Sequence, residues 1–283
     1  MPVHLTLPET FVSRIRSADR PLAGLWVCSG SALAAEIVAG SGIDWVLLDA
    51  EHSPNGLESI LAQLHAMSAY PVAPVVRPPF GDPVTIKQVL DLGAQNLLIP
   101  MVDSAEQAEE IVRAVRYPGG TNGGVRGVGS ALARSARWNR VDGYLGRASE
   151  TISLTVQIES AAAVADVERI VAVDGIDAVF VGPTDLAASM GLLGQQGHPD
   201  VVEAVLTAIR AANAAGVPVG VNAFVPEDAE RYLAAGADFV AVGADVAILA
   251  RQTEALADRF TAPRADEAAA ADQDRTSAPR SSY

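Results

Sequence analysis

The stretch "DWVLLDAEH" (44–52) places Asp49, Glu51 and His52 within four positions at the end of an apolar run. Two carboxylates and an imidazole at such a point can move a proton or hold a cation, and an imidazole, titrating near about 6.5 in water, suits a general base. Polar residues close other apolar runs as well: Arg77 after "VAPVV", Gln157 and Glu159 in "ISLTVQIE", and Asp185 in "VFVGPTD". Glu159 and Asp185 are oxygen donors without a histidine or cysteine pattern, which favours a hard, partly hydrated divalent cation, Mg²⁺ or Mn²⁺, over a closed zinc site. A cation held that way keeps positions open for substrate and polarises a ketone oxygen, while Arg77 adds fixed positive charge where an enolate develops. That is the chemistry of proton removal and of carbon–carbon bond making or breaking beside a carbonyl. The only lysine, Lys87, stands in the helical stretch "DPVTIKQVLDLGA" and at no strand end, which counts against a Schiff-base aldolase.

Taken singly, each residue has a plainer explanation: a helix cap, a surface ion pair, a hydrogen-bonded core group. What joins them is the element each one follows. Eight nearly continuous apolar runs, 22–27, 44–49, 72–77, 96–102, 152–159, 177–182, 217–223 and 238–243, alternate with Ala-rich amphipathic stretches. Unbroken apolar runs are expected of parallel strands covered on both faces, and the alternation reads as repeated strand–helix units. Ser104 and Pro226 open two of the helices, and glycines close several. Eight such units without a linker predict one (β/α)₈ barrel over residues 1–260, with a doubly wound open sheet as the second choice. In a barrel, residues at the C-terminal ends of strands converge on one face, so the polar set above becomes a single site.

Composition narrows the rest. A formal net charge of −14 argues against nucleic acid as a partner, since phosphate-backbone binding needs a clustered basic surface. No run of about 18 uncharged apolar residues occurs, and the N-terminus lacks an apolar core behind a basic start. A soluble cytoplasmic protein without membrane contact is expected. A single cysteine, Cys28, cannot form an internal disulfide, and its plainest reading is a small half-buried apolar side chain. Two stretches break the rhythm. "YPGGTNGGVRGVGSALARSARWNR" (117–140) is rich in Gly and Arg, and a loop this long is usually functional or disordered. The polar, Ala-rich 261–283 is expected to be a disordered tail.

At these residues the chain resembles the metal-dependent class II pyruvate aldolases of the HpcH/HpaI type, a group that includes 4-hydroxy-2-oxoheptanedioate and 2-dehydro-3-deoxyglucarate aldolases. The resemblance runs from about residue 11 to 260 and rests on "DWVLLDAEHSPN", "PVVRPPFGDPVTIKQVLDLGAQNLLIPMV", "GVRGVGSALARSARWNR", "VQIES" and "VFVGPTDLAASMG". It implies a TIM barrel of the phosphoenolpyruvate/pyruvate type whose last helix is exchanged between subunits, and a homohexamer built as a trimer of dimers. It implies cleavage of a hydroxy-oxo acid to pyruvate and an aldehyde with Mg²⁺, Mn²⁺ or Co²⁺, and a place in aromatic-compound catabolism. By the resemblance, His52 is the proton acceptor, Arg77 the transition-state stabiliser, and Glu159 and Asp185 the metal ligands. Gln157, the backbone at Thr184, Asp185 and Arg77 contact substrate. Asp91 reaches over from a neighbouring subunit to raise the basicity of the histidine; physics alone reads Asp91 as a solvated helix residue. The family usually has Ala at Thr184 and Gly at Ala50, and "GGTNGG" (119–124) lengthens the loop before Arg126. Two other readings stay open: a citrate-lyase-β-like acyl-CoA lyase, separable by activity on free aldehydes without CoA, and a non-catalytic barrel subunit, separable by a pyruvate-release assay.

Overall fold

A computed structural model describes residues 3–119 and 123–261. Its eight strands are β1 (Leu22–Val27), β2 (Trp45–Asp49), β3 (Ala73–Arg77), β4 (Asn96–Ile99), β5 (Ser153–Ile158), β6 (Ala178–Val181), β7 (Val219–Asn222) and β8 (Phe239–Ala244). Each pairs in parallel with the next and β8 returns to β1, closing the (β/α)₈ barrel that the apolar runs predicted. The helices in chain order are α1 (Phe11–Ser17), α2 (Ala32–Ala39), α3 (Leu57–Ala66), α4 (Pro83–Asp91), α5 (Ala105–Val115), α6 (Tyr144–Arg147), α7 (Ala161–Ala165) and α8 (Val167–Val171). They continue with α9 (Pro183–Ser189), α10 (Pro199–Ala215), α11 (Pro226–Ala234) and α12 (Asp245–Thr261). Their starts follow capping chemistry. Ser104 accepts from the Gln107 N–H, Asp82 accepts from the Val84 and Thr85 N–H groups, and Pro226 occupies the first turn of α11.

Side-chain alternation divides the strands into two cores. One face packs beneath the helices, with Val46, Leu48, Val76, Leu97, Val156 and Val179 all fully buried. The other fills the barrel, where Trp45, Leu47, Val75, Leu98, Phe180 and Phe239 interlock; the Phe180 and Phe239 rings stack at 5.8 Å. Gly220 belongs to this inward face. A Cβ there would lie 2.2 Å from the Phe239 ring, so the aromatic filling depends on its absence. The same alternation fixes what comes two residues further along each strand: Trp26, Asp49, Arg77, Gln157 and Asn222 all point inward at the C-terminal mouth.

The Arg-rich stretch is built, not loose, over its described residues. Short 3₁₀ turns at Ser130–Leu132 and Arg134–Ala136 lead into α6, and Ala136, Tyr144 and Ala148 form a small core of their own. Gly120, Thr121 and Asn122 of the insertion, and residues 262–283 of the expected tail, lie outside the described residues. The barrel unit ends at Asp245, and the unit that begins at Val246 contains most of α12. That helix buries none of its residues, and Ile248, Leu249, Leu256 and Phe260 are exposed. Among the described residues no helix is long and apolar enough to cross a membrane.

Candidate active site

Arg77 is the hub of the mouth. Its side chain is 2 % exposed, its Nε donates to Asp49 Oδ1 at 2.9 Å, and its Nη1 lies 2.8 Å from Glu51 Oε2. A longer bond runs from Nη1 to Gln157 Oε1 at 3.4 Å, and the guanidinium stacks over Trp26 at 4.3 Å. Nη2 is buried and has no hydrogen-bond partner among the described residues. A guanidinium held on one side by carboxylates and leaving donors free on the other is prepared to meet an anion before that anion arrives.

Asp49 does more than pair with Arg77. Its two oxygens accept the backbone N–H groups of Glu51 and His52 at 3.0 and 3.3 Å and the Ser53 hydroxyl at 3.0 Å, so one buried carboxylate shapes the loop after β2. Burial pushes its pKa up, but the Arg77 hydrogen bond and charge, with the backbone donors, more than reverse this and hold it below the usual carboxylate range. Glu51 goes the other way, raised chiefly by burial despite Arg77.

Glu159 follows β5 and Asp185 lies in the first turn of α9, so β5 and β6, which are neighbours, bring the two carboxylates to one side of the mouth. Glu159 is buried. Gln157 Nε2 donates to its Oε2, and the Met101 N–H donates to its Oε1 at 2.7 Å from a left-handed backbone (φ 56°). Burial pushes the Glu159 carboxyl up to about 7, and the charges of Glu51 and Asp185 add to the rise. Gly182 matters here, because a Cβ on it would stand 2.9 Å from Gln157 Nε2 and 3.0 Å from Glu159 Oε2. Against Asp49, Glu51, Glu159 and Asp185 the site sets one permanent cation, Arg77. A divalent cation fits this surplus of oxygen donors and negative charge. Among the described residues no three His, Cys, Asp or Glu side chains form a ready-made metal cage, so the Glu159–Asp185 pair would leave the rest of the ion's shell to water or substrate.

His52 is the exposed member. Its side chain is 66 % accessible, and its Nε2 lies 3.8 Å from Glu51 Oε1. Thr184, beside Asp185 in the first turn of α9, is also exposed, with a backbone N–H that has no acceptor within the helix. Asp91 is elsewhere in the chain. It is the last residue of α4. Within its own chain Asp91 is not the solvated residue that helix position alone suggests: Arg126, itself buried, donates to it at 3.1 Å and stacks over Tyr117. The sequence reading thus located the charged set and missed Gly182, the Met101 backbone and the Arg126–Asp91 pair. A glycine directly after an apolar strand was the one signal for the first.

Residues 22–251 match the family HpcH/HpaI aldolase/citrate lyase. The chain is 50 % identical over 247 residues to the 4-hydroxy-2-oxo-heptane-1,7-dioate aldolase of Salmonella dublin, covering 87 % of this chain and 93 % of that protein. A crystal structure of an HpcH/HpaI aldolase/citrate lyase family protein from Burkholderia cenocepacia J2315 superposes with a TM-score of 0.84 at 40 % identity, covering 89 % of this chain and 98 % of that one. The citrate lyase beta subunit of M. tuberculosis, complexed with oxaloacetate and magnesium, shares the fold at 19 % identity and a TM-score of 0.54, covering 81 % of this chain and 93 % of its own.

Proposed function

The chain belongs to the HpcH/HpaI aldolase/citrate lyase family and is a carbon–carbon lyase, and on that premise we propose that it cleaves a 4-hydroxy-2-oxo acid reversibly to pyruvate and an aldehyde. The substrate is an acid such as 4-hydroxy-2-oxoheptanedioate or 2-dehydro-3-deoxyglucarate. Glu159 and Asp185 would hold a divalent cation, Mg²⁺, Mn²⁺ or Co²⁺, which would supply Lewis acidity at the 2-oxo group. Gln157, the Thr184 N–H and Arg77 hold the oxo-acid end. His52 takes the proton of the 4-hydroxyl, the C3–C4 bond breaks, and its electron pair passes into C2–C3 as the aldehyde departs. Arg77 stabilises the enolate that results, through donors already fixed by Asp49 and Glu51. A proton returned to C3 completes pyruvate. The single observation that carries this reading is the buried Arg77 guanidinium, anchored by two carboxylates and keeping an unspent Nη2 among the described residues.

The same proposal extends to assembly. Residues 1–260 act as one aldolase domain, α12 is exchanged between subunits, and the enzyme is a hexamer, a trimer of dimers, in which Asp91 of a neighbouring subunit orients His52. The exposed apolar residues of α12 support the exchange. A cytoplasmic role in aromatic-compound catabolism belongs to the proposal as well. The test is a screen of hydroxy-oxo acids with coupled pyruvate detection. Cleavage should vanish in excess chelator and return with Mg²⁺, Mn²⁺ or Co²⁺, and Glu159→Ala should lose cation affinity in a calorimetric titration. Full turnover in chelator would remove the cation from the reading.

A further inference from the structure

Glu51 Oε2 aside, which lies 2.8 Å from Arg77 Nη1, three buried polar atoms at the barrel mouth have no hydrogen-bond partner among the described residues: Arg77 Nη2, Trp26 Nε1 and Asn222 Oδ1. The first belongs to the machinery above. The other two stand on β7, next to β6, and on β1, where the Trp26 ring also underlies the Arg77 guanidinium; β8 between them contributes no charged side chain before Asp245, whose carboxylate accepts the Cys28 and Ser29 N–H groups. Their strand positions place both on the inward face: Trp26 lies two residues beyond Gly24, and Asn222 two beyond Gly220. Phe224, just after β7, meets the Trp26 ring edge-on at 6.2 Å, which draws the β7 and β1 sides together into one wall. A donor and an acceptor left unsatisfied in one wall are a cost to the free protein and a recognition device for whatever pairs with them.

We propose that Asn222 and Trp26 form the subsite for the aldehyde half of the substrate, and that this subsite selects aldehydes bearing a hydroxyl on the carbon next to the carbonyl. This rests on the lyase reading, because the charged side of the mouth must hold the oxo-acid half for the aldehyde half to fall along β7, β8 and β1. The chemistry of the pair decides the class. With the carboxamide as it stands here, its oxygen unpaired, a hydroxyl donates to Asn222 and accepts from the indole N–H. A carboxylate only accepts and leaves the Asn222 oxygen unpaired; an alkyl chain leaves both atoms unpaired. Of the two acids named above, 2-dehydro-3-deoxyglucarate releases an aldehyde with such a hydroxyl, whereas 4-hydroxy-2-oxoheptanedioate does not.

The experiment measures aldol addition of pyruvate to 2-hydroxypropanal and to propanal with the Mg²⁺-loaded enzyme, and takes the ratio of the two kcat/KM values within each protein. Wild type should favour 2-hydroxypropanal on the order of tenfold, the scale of one neutral hydrogen bond in a shielded site. Asn222→Leu, which keeps the volume and removes both polar ends, should bring the ratio close to unity, and Trp26→Phe should lower it. Because each ratio is internal, a general loss of activity does not imitate the result. A wild-type ratio near unity, or a ratio unchanged in Asn222→Leu and Trp26→Phe, overturns the subsite. Deuterium exchange into the pyruvate methyl group, followed without aldehyde, separates the two levels: no exchange in wild type overturns the lyase reading, and exchange with no hydroxyl preference overturns the subsite alone.

Discussion

The mouth of the barrel has two unlike arcs. Strands β2, β3, β5 and β6 carry Asp49, Arg77, Gln157, Glu159 and Asp185, and the first four are buried and joined into one hydrogen-bonded set. Strands β7, β8 and β1 carry Asn222 and Trp26, half-buried and each with a polar atom unpaired among the described residues, beside the exposed Phe224, Val225 and Val242; the Trp26 ring, under Arg77, is where the two arcs meet. The first arc is already joined by its own hydrogen bonds; under the subsite proposal, substrate completes the second. Charges that must act on a developing enolate gain from being fixed in advance, since reorganising them during the reaction would raise the barrier. A surface that tells one aldehyde from another gains nothing from such rigidity and needs only a few well-placed donors and acceptors.

The contrast can be broken most severely at His52, the proposed proton acceptor. His52→Ala should lower turnover about 10²–10⁴-fold. Mixing it with Asp91→Asn subunits should restore activity above the average of the two parents, because some interfaces then join an intact His52 to an intact Asp91. Verified mixed oligomers without such a gain would assign Glu51, 3.8 Å from His52 in the same chain, as the better partner. Next comes Arg77→Lys. An ammonium keeps the charge but cannot span Asp49, Glu51 and an enolate together, so kcat should fall about 10²–10³-fold with the barrel still folded by circular dichroism. Near-native turnover would make Arg77 a structural residue only.

A smaller effect sharpens the line between the arcs. Gly182→Ala puts a methyl group 2.9 Å from Gln157 Nε2 and 3.0 Å from Glu159 Oε2, tight enough to shift the proposed cation ligand. Cation affinity should drop on the order of tenfold, about 1.4 kcal/mol, in a titration followed by calorimetry. The smallest effect lies beside β1. Burial raises the Cys28 thiol, so less thiolate is present at neutral pH than in a free cysteine. Iodoacetamide should label Cys28 slowly at pH 7.5, and Cys28→Ser should leave turnover nearly unchanged.

These arcs were not equally legible in the sequence. Strands of a closed parallel barrel are apolar on both faces, so all eight stood out as unbroken runs, and a charged residue ending such a run is conspicuous. Asp49, Arg77, Glu159 and Asp185 announce themselves that way. Trp26 and Asn222 do not: an aromatic residue in a strand reads as core and an asparagine at a strand end as turn, and only three-dimensional placement shows their polar atoms unpaired. Asp91 was illegible for another reason. Its partner Arg126 comes from a Gly-rich stretch whose order depends on a small core around Tyr144, and no local periodicity reveals such a core.

Met101 has a last consequence, for tolerance to mutation. Its side chain is 44 % exposed, yet its backbone sits at φ 56° so that its N–H reaches Glu159. The protein needs the shape of this residue's main chain, not its thioether. A random library at position 101 would therefore keep Gly and Asn, which accept the left-handed region, and discard Val and Ile, which resist it, although the two groups differ in no chemistry the reaction uses. Such a profile, met without the structure, would look like a requirement for a small or polar side chain at the active site. It would instead record the geometry of one peptide N–H.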